Sequence, residues 1–186
     1  PVEDIIKSLK YADVEVKKSE IYDKALFISN YNSLTDLDVF NSGMITVQDL
    51  SSMMVGLAAN PKEGNYVIDV CAAPGGKTLH ISEMMNRTGT VEARDLTKYK
   101  VNLINDNIKR LGNKNIITKV MDATVMDEKS IEKADIVIAD LPCSGLGVIN
   151  KKSDIKYNVS KDQIMELVKL QRKILSVVSQ YVKKGG

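Results

Sequence analysis

The sequence contains no run near the roughly 18 apolar residues that a membrane-spanning helix needs. Its first residues, among them Pro1, Glu3 and Asp4, are neither basic nor followed by an apolar core. A membrane protein and a secretory leader are therefore not expected, and the chain is expected to be cytoplasmic. Cysteine and histidine are scarce, Cys71, Cys143 and His80 being all there are. Three such residues in unrelated contexts build neither a disulfide framework nor a structural zinc site, so both thiols are expected to be reduced and no metal is expected. Net charge is small as well, at +2. It is unevenly spread: residues 1–40 hold five Lys against eight Asp/Glu, a balance of −3, and residues 144–186 hold nine Lys/Arg against three, a balance of +6. The basic end reads either as a solvated helix face or as a phosphate-contacting surface, and charge alone does not choose. Internal repeats and low-complexity stretches are also missing.

What is present is a chain of 186 residues, 44% hydrophobic, long enough for one substantial core and an appendage. From about residue 65, short β-branched runs alternate with longer helical patterns, which is how a parallel sheet with crossover helices reads. The runs are Tyr66 to Val70, Thr90 to Ala93, Asn115 to Val120 and Asp135 to Ala139. Helices are predicted from Lys77 to about Met85, from Thr97 to Leu111 with Gly112 as the stop, and from Ser160 to Val182. The last opens with Ser160 as N-cap and Gln163 three residues on, the pattern of a capping box. The fold class expected is α/β, a doubly wound half-fold over residues 41–186. Residues 1–40 read as a small α/β appendage, with a helix at Val2 to Leu9 and strand-like segments at Val14 to Val16 and Ala25 to Ile28. Gly43 to Ala59 reads as a helical approach segment. Lys183-Lys184-Gly185-Gly186 reads as an exit turn toward a further strand, and since a sheet ending at its fourth strand would expose an apolar edge, the natural protein is expected to continue.

The strongest local signal is Val67 to Thr78, a strand followed at once by a glycine turn and a helix. At such a junction backbone N–H groups face a ligand, and Gly75 and Gly76 allow close approach. A Walker A loop would need Gly six residues before Lys77, where Cys71 stands, and the dinucleotide pattern Gly-x-Gly-x-x-Gly is absent. A purely structural turn stays open as an alternative. Acids recur at the strand ends: Asp95 is suited to ribose hydroxyls, Asp122 to an adenine edge, and Asp140 closes the fourth strand. Each alone reads more readily as a helix cap or a solvated loop residue. Three around one crevice point to a nucleoside-containing ligand without paired phosphates. After the fourth strand, Asp140-Leu-Pro-Cys-Ser-Gly-Leu-Gly147 is stiffened by Pro142 and presents Cys143 beside Asp140 at the sheet's carboxyl end, where doubly wound proteins place their sites.

At these two motifs the chain resembles the RNA 5-methylcytosine methyltransferase family. Cys71, Ala72, Ala73, Pro74, Gly75, Gly76 and Lys77 look like that family's cofactor loop, and Asp140-Leu-Pro-Cys-Ser-Gly145 is similar to its Asp-Ala-Pro-Cys-Ser loop, with Leu141 in place of the commoner Ala. Gln48 to Ser52 and Lys151 to Lys156 extend the resemblance to about residues 40–186. It implies a Rossmann-like methyltransferase sheet, S-adenosylmethionine as cofactor, and RNA as partner, with small-subunit (16S) ribosomal RNA the expected target; it leaves the oligomeric state open. It also implies roles: the loop 71–77 with Asp95, Asp122 and Asp140 at the cofactor, Asp140 at the cytosine edge, Lys77 orienting cofactor and base, and Cys143 as the second cysteine, which assists product release. In that family the attacking cysteine follows a Lys-x-Gly-Gly turn, the point at which this sequence stops. A fragment so bounded is expected to bind cofactor without turnover. Two other readings remain: a DNA cytosine-5 methyltransferase, in which a Pro-Cys loop itself carries the nucleophile, and a non-catalytic RNA-binding module that keeps the cofactor fold. Lys151, Lys152 and Lys156 are the expected phosphate contacts.

Overall fold

The computed structural model describes residues 1–146 and 160–186. The amino-terminal part holds helix α1 (Val2–Tyr11), the antiparallel pair β1 (Glu15–Lys18) and β2 (Leu26–Ser29), and a short helix α2 (Asp38–Asn41). Leu9, Val14, Leu37 and Val39 form a small core of their own there. Helix α3 (Leu50–Ala59) leads into the main sheet, and Asn60, in the left-handed conformation, ends it.

The sheet has four parallel strands, β3 (Tyr66–Asp69), β4 (Thr90–Asp95), β5 (Ile116–Val120) and β6 (Ile136–Ile138), in the order β5-β4-β3-β6. Between them run α4 (Gly76–Met84) and α5 (Lys98–Leu111), and α6 (Lys161–Val178) follows. Period-two alternation divides the core. Val67, Val91, Ala93 and Ile138 face α4 and α5, packing with Leu79, Ile81, Met85 and Ile104. Ile68 and Val70 face the other way, onto Ile174, Val178 and Tyr181 of α6 and its exit. Among the described residues no helix is long and apolar enough to cross a membrane.

The short-range signals behave as read. Thr97 Oγ1 accepts from the Lys100 amide, Gly112 ends α5 at φ +70°, and Ser160 and Gln163 exchange both bonds of a capping box. Two segments differ. Residues 43–49 are not helical, because the Arg110 guanidinium on α5 takes the Phe40 and Ile45 carbonyls, each at 2.8 Å, and lies 4.0 Å over the Phe40 ring. Gly43 is pressed against α5 at φ +74°, where a Cβ would come within 2.1 Å of the Arg110 carbonyl oxygen. Helix α6 stops at Val178, four residues early; beyond it the Tyr181 ring lies against Arg94 and the Tyr181 carbonyl accepts from the Lys133 and Ala134 amides. This brings Val182 into a parallel bridge with Ala134. Beside β6, the last strand in the sheet order, lies an open groove of about 430 Å³ lined by Val55, Ala59, Ile138, Leu175, Val178 and Val182.

The outer part of β4 is polar where the pattern asks for apolar residues. Arg94, 1% exposed, donates from Nε to Glu92 at 2.6 Å and from Nη2 to Ser130 Oγ at 2.6 Å, approaches Asp127 at 3.2 Å, and lies 5.3 Å over the Tyr181 ring. Burial would raise the Glu92 carboxyl, but Lys119, Tyr66 and Arg94 together hold it below its ordinary value. Removing one member of a buried ion pair strands the other. Arg94→Met is therefore expected to lower the unfolding free energy by about 3–5 kcal/mol, and adding Glu92→Gln to recover part of that loss, both read by urea denaturation.

Candidate active site

The sheet order aligns the strand ends. Because β5, β4, β3 and β6 are parallel neighbours, Asp122, Asp95, Asp69 with Cys71, and Asp140 follow one another along the carboxyl edge. From β3 the chain crosses first to β4 and β5 on one side and then to β6 on the other. The edge beside β3 is thus the switch point, where such sheets open a crevice.

The loop after β3 is pinned from two sides. Asp95 Oδ2 accepts from the Ala73 amide at 3.0 Å and Oδ1 from the Leu96 amide at 2.8 Å, with Lys100 Nζ 3.2 Å from Oδ1. A carboxylate has about four acceptor positions. With three engaged, Asp95 has one left for a ligand hydroxyl, and a second when Lys100 turns into water. Asn107 on α5 donates to the Pro74 carbonyl at 3.1 Å. Gly75 adopts φ +105°, with Ile104 3.3 Å from where its Cβ would lie, so the turn into α4 requires glycine. Lys77, from the first turn of α4, donates to Asp140 Oδ2 at 2.6 Å and ties this loop to the one after β6.

The structure therefore brings Cys71 to Lys77, Asp95 and Asp140 together. Asp122 ends β5 on the same edge, exposed; its carboxyl is held below the ordinary range by the Thr124 amide and hydroxyl, with Lys173 adding to this. The two thiols differ. Burial, helped by Asp95 and Asp69, pushes the Cys71 thiol up to about 11, so it stays protonated, whereas Cys143 is exposed. Gly147 and Lys151, Lys152 and Lys156 lie outside the described residues.

One site residue escaped the sequence reading. Asp69, wholly buried under the loop, accepts from Thr78 Oγ1 at 2.7 Å, while its Oδ1 has no partner among the described residues. The available signal was an acid inside the apolar run Val67-Ile-Asp-Val70. Burial pushes its carboxyl up to about 6 from 3.8, against the Thr78 hydroxyl and Lys77. The native state therefore binds this proton more tightly than the unfolded chain does. The contribution of Asp69 to stability is greatest below pH 4, is lost as pH rises through 6, and stays lost above that. The difference is on the order of 3 kcal/mol. Asp69→Asn, which keeps an acceptor for Thr78, is expected to flatten the fall in unfolding free energy between pH 4 and 6; an unchanged profile in pH-resolved denaturation would show that Asp69 does not titrate there.

Residues 56–186 match the family described as 16S rRNA methyltransferase RsmB/F. The probable ribosomal RNA small subunit methyltransferase B of Bacillus subtilis (strain 168) is 38% identical over 184 residues, covering 98% of this chain and 41% of that protein. The tRNA (cytosine(72)-C(5))-methyltransferase of Pyrococcus horikoshii is 35% identical over 154 residues, covering 83% and 39%. The crystal structure of NSun6 from Pyrococcus horikoshii with SFG superposes with a TM-score of 0.77 at 33% identity, over 84% of this chain and 40% of that one. The chain thus spans about two fifths of the length of these relatives. Its four-stranded parallel sheet is the Rossmann-like sheet of S-adenosylmethionine-dependent methyltransferases, and by the match over residues 56–186 the chain belongs to the 16S rRNA methyltransferase RsmB/F family.

Proposed function

We propose that the chain is the catalytic core of an RNA cytosine-5 methyltransferase that takes S-adenosylmethionine as methyl donor and a cytosine of 16S ribosomal RNA as acceptor. The observation that carries this reading is the Lys77–Asp140 bond at 2.6 Å, which joins the glycine loop to the Pro-Cys loop at the switch point of an acidic sheet edge. The relative from Bacillus subtilis supports ribosomal RNA as substrate, and the archaeal relative favours transfer RNA as the second reading.

The donor set fits the cofactor. The carboxylates of Asp95, Asp122 and Asp140 along the edge suit a cationic nucleoside with free ribose hydroxyls. A Cβ built on Gly76 meets nothing nearer than Gln48 at 3.8 Å, so a ligand can lie close to the backbone there. Asp95 accepts the ribose hydroxyls, Asp122 takes the adenine edge, and the backbone of Cys71 to Gly76 lines the remainder. When bound, S-adenosylmethionine supplies an electrophilic methyl group on a positively charged sulfur.

Cytosine C5 is a weak nucleophile, so a thiolate must first add at C6 and make C5 electron-rich. Addition sends electrons toward N3, and a proton delivered there relieves the charge. Asp140 takes that edge, its carboxyl group carrying the proton to N3 and accepting a hydrogen bond from the N4 amine, with Lys77 holding it in place. After methylation the C5 proton must leave and the C6–sulfur bond must break, which restores the aromatic ring. Cys143, exposed two residues beyond Leu141, assists this release, and Cys71, held protonated, takes no part in covalent chemistry. The target base has to leave its stack to reach this edge.

In isothermal titration S-adenosylmethionine or its demethylated product is expected to bind and ATP to bind much more weakly; equal affinity for ATP would remove the cofactor assignment. Asp95→Ala is expected to cost about 1.5–3 kcal/mol of that affinity. In the full-length gene product, Cys143→Ala is expected to allow thiolate attack and then stall, so that protein and 16S ribosomal RNA migrate together on a denaturing gel. No adduct with any RNA would mean that Cys143 is not the release residue, and an adduct with transfer RNA alone would replace the ribosomal substrate by the second reading.

A further inference from the structure

The carboxylate that begins the Pro-Cys loop is held by Lys77 from α4, but the thiol lies three residues further on, and a single anchor at Asp140 leaves those residues free to swing. A second anchor comes from α6. Gln171 Nε2 donates to the Pro142 carbonyl at 2.7 Å, and Leu141, one residue earlier, packs into the cluster formed by Leu170 and Ile174 of the same helix. From this we propose that Gln171 is a positioning residue for Cys143, an inference that rests on the release role proposed above.

The argument is geometric. The Pro142 carbonyl and the Cys143 amide belong to one rigid peptide plane, which also contains the Cys143 Cα. The ring of Pro142 fixes its own φ near −65°. Holding the carbonyl oxygen therefore restrains the plane, and with it the Cα from which the Cys143 side chain starts; the φ of Cys143 and its χ1 are the freedoms left to place the sulfur. Lys77 fixes one end of the loop from the α4 side and Gln171 the other from the α6 side, so the loop is held across the crevice. The grip is built into the fold at some distance from the chemistry: α6 is seated by Ile174 and Val178, each buried against the sheet, and Gln171 precedes Ile174 by just under one turn. Gln suits the position because it carries an N–H donor on a chain long enough to cross from helix to loop. A hydrophobe of the same size would keep the packing and lose the bond.

The test uses the full-length gene product with Gln171→Met, which removes the donor at similar volume, and Gln171→Lys, which restores a donor. Hydrogen exchange reads the loop without reference to activity. The peptide spanning residues 139–146 is expected to take up deuterium faster in Gln171→Met, to return toward the wild-type rate in Gln171→Lys, and the sheet peptides are expected not to change. In the same Gln171→Met protein, turnover on 16S ribosomal RNA is expected to fall about 10- to 100-fold through misplacement of the thiol, with affinity for S-adenosylmethionine unchanged and with the covalent RNA adduct accumulating as in Cys143→Ala. Wild-type exchange in the loop would overturn the inference, whatever Cys143 does. Faster exchange with wild-type turnover and no adduct, in a protein whose Cys143→Ala variant does trap RNA, would overturn it too. Absence of an adduct in Cys143→Ala itself would sink the release role, and the inference with it, and so separates the two failures.

Discussion

A guanidinium can be taken out of water only if its N–H groups find acceptors, and Arg94 meets that condition with Glu92, Ser130 and Asp127 over the ring of Tyr181. The partners come from three places: β4 itself, the turn before β6, and the segment beyond α6. Strand β4 has a side-chain period of two, so a slip of one residue would drive Arg94 into the apolar layer made by Leu79, Ile81 and Ile104 and turn Val91 and Ala93 out of it. The ion network thus sets the register of β4. It places Asp95 where both oxygens reach the amides of Ala73 and Leu96, and the glycine loop takes its shape from that carboxylate.

The same network explains why α6 ends where it does. Tyr181 has to lie beneath Arg94, with its hydroxyl accepting from the Asp127 amide at 2.9 Å, and its carbonyl is drawn to the amides of Lys133 and Ala134. With Tyr181 held at both its ring and its carbonyl, the residues after Val178 leave the helical path. The burial that stabilises Arg94 is therefore continuous with the seating of α6, and Gln171 rides on that helix. Structural polarity on one face of the sheet and functional polarity at its edge are parts of one arrangement.

What could be read in advance from the residues was whatever is settled within a few positions. Thr97 and Gly112 mark α5, Ser160 and Gln163 mark the start of α6, and the run from Val67 to Thr78 marks a strand, a glycine turn and a helix, because caps and tight turns are decided by neighbours in sequence. What escaped depends on partners far along the chain. Residues 43–49 carry no local sign that Arg110, more than sixty positions on, will claim the Ile45 carbonyl. Asp69 looks like one acid in an apolar strand until Thr78 and Lys77 are seen above it, and Gln171 looks like any polar residue on a helix until Pro142 lies opposite. The order of the strands was not legible either, yet it is what turns acids scattered through the sequence into a row.

The row has an electrostatic consequence. Around the glycine loop the ionisable groups that bear on Cys71 and Asp69 are the carboxylates of Asp95, Asp69 and Asp140 and the ammonium groups of Lys77 and Lys100, with Asp69 itself pushed toward its neutral form. Lys77, at the start of α4, is paired with Asp140 and so is not left over to attract a phosphate. An edge of this kind holds a cation that carries hydroxyls and amines better than a polyanion, and it releases that cation's product more readily once the positive charge is gone. Methyl transfer from a sulfonium removes a charge of that sign from the cofactor. The pairing that excludes nucleotide phosphates from the glycine loop is thus the same pairing that would favour the proposed cofactor before transfer over its product afterwards.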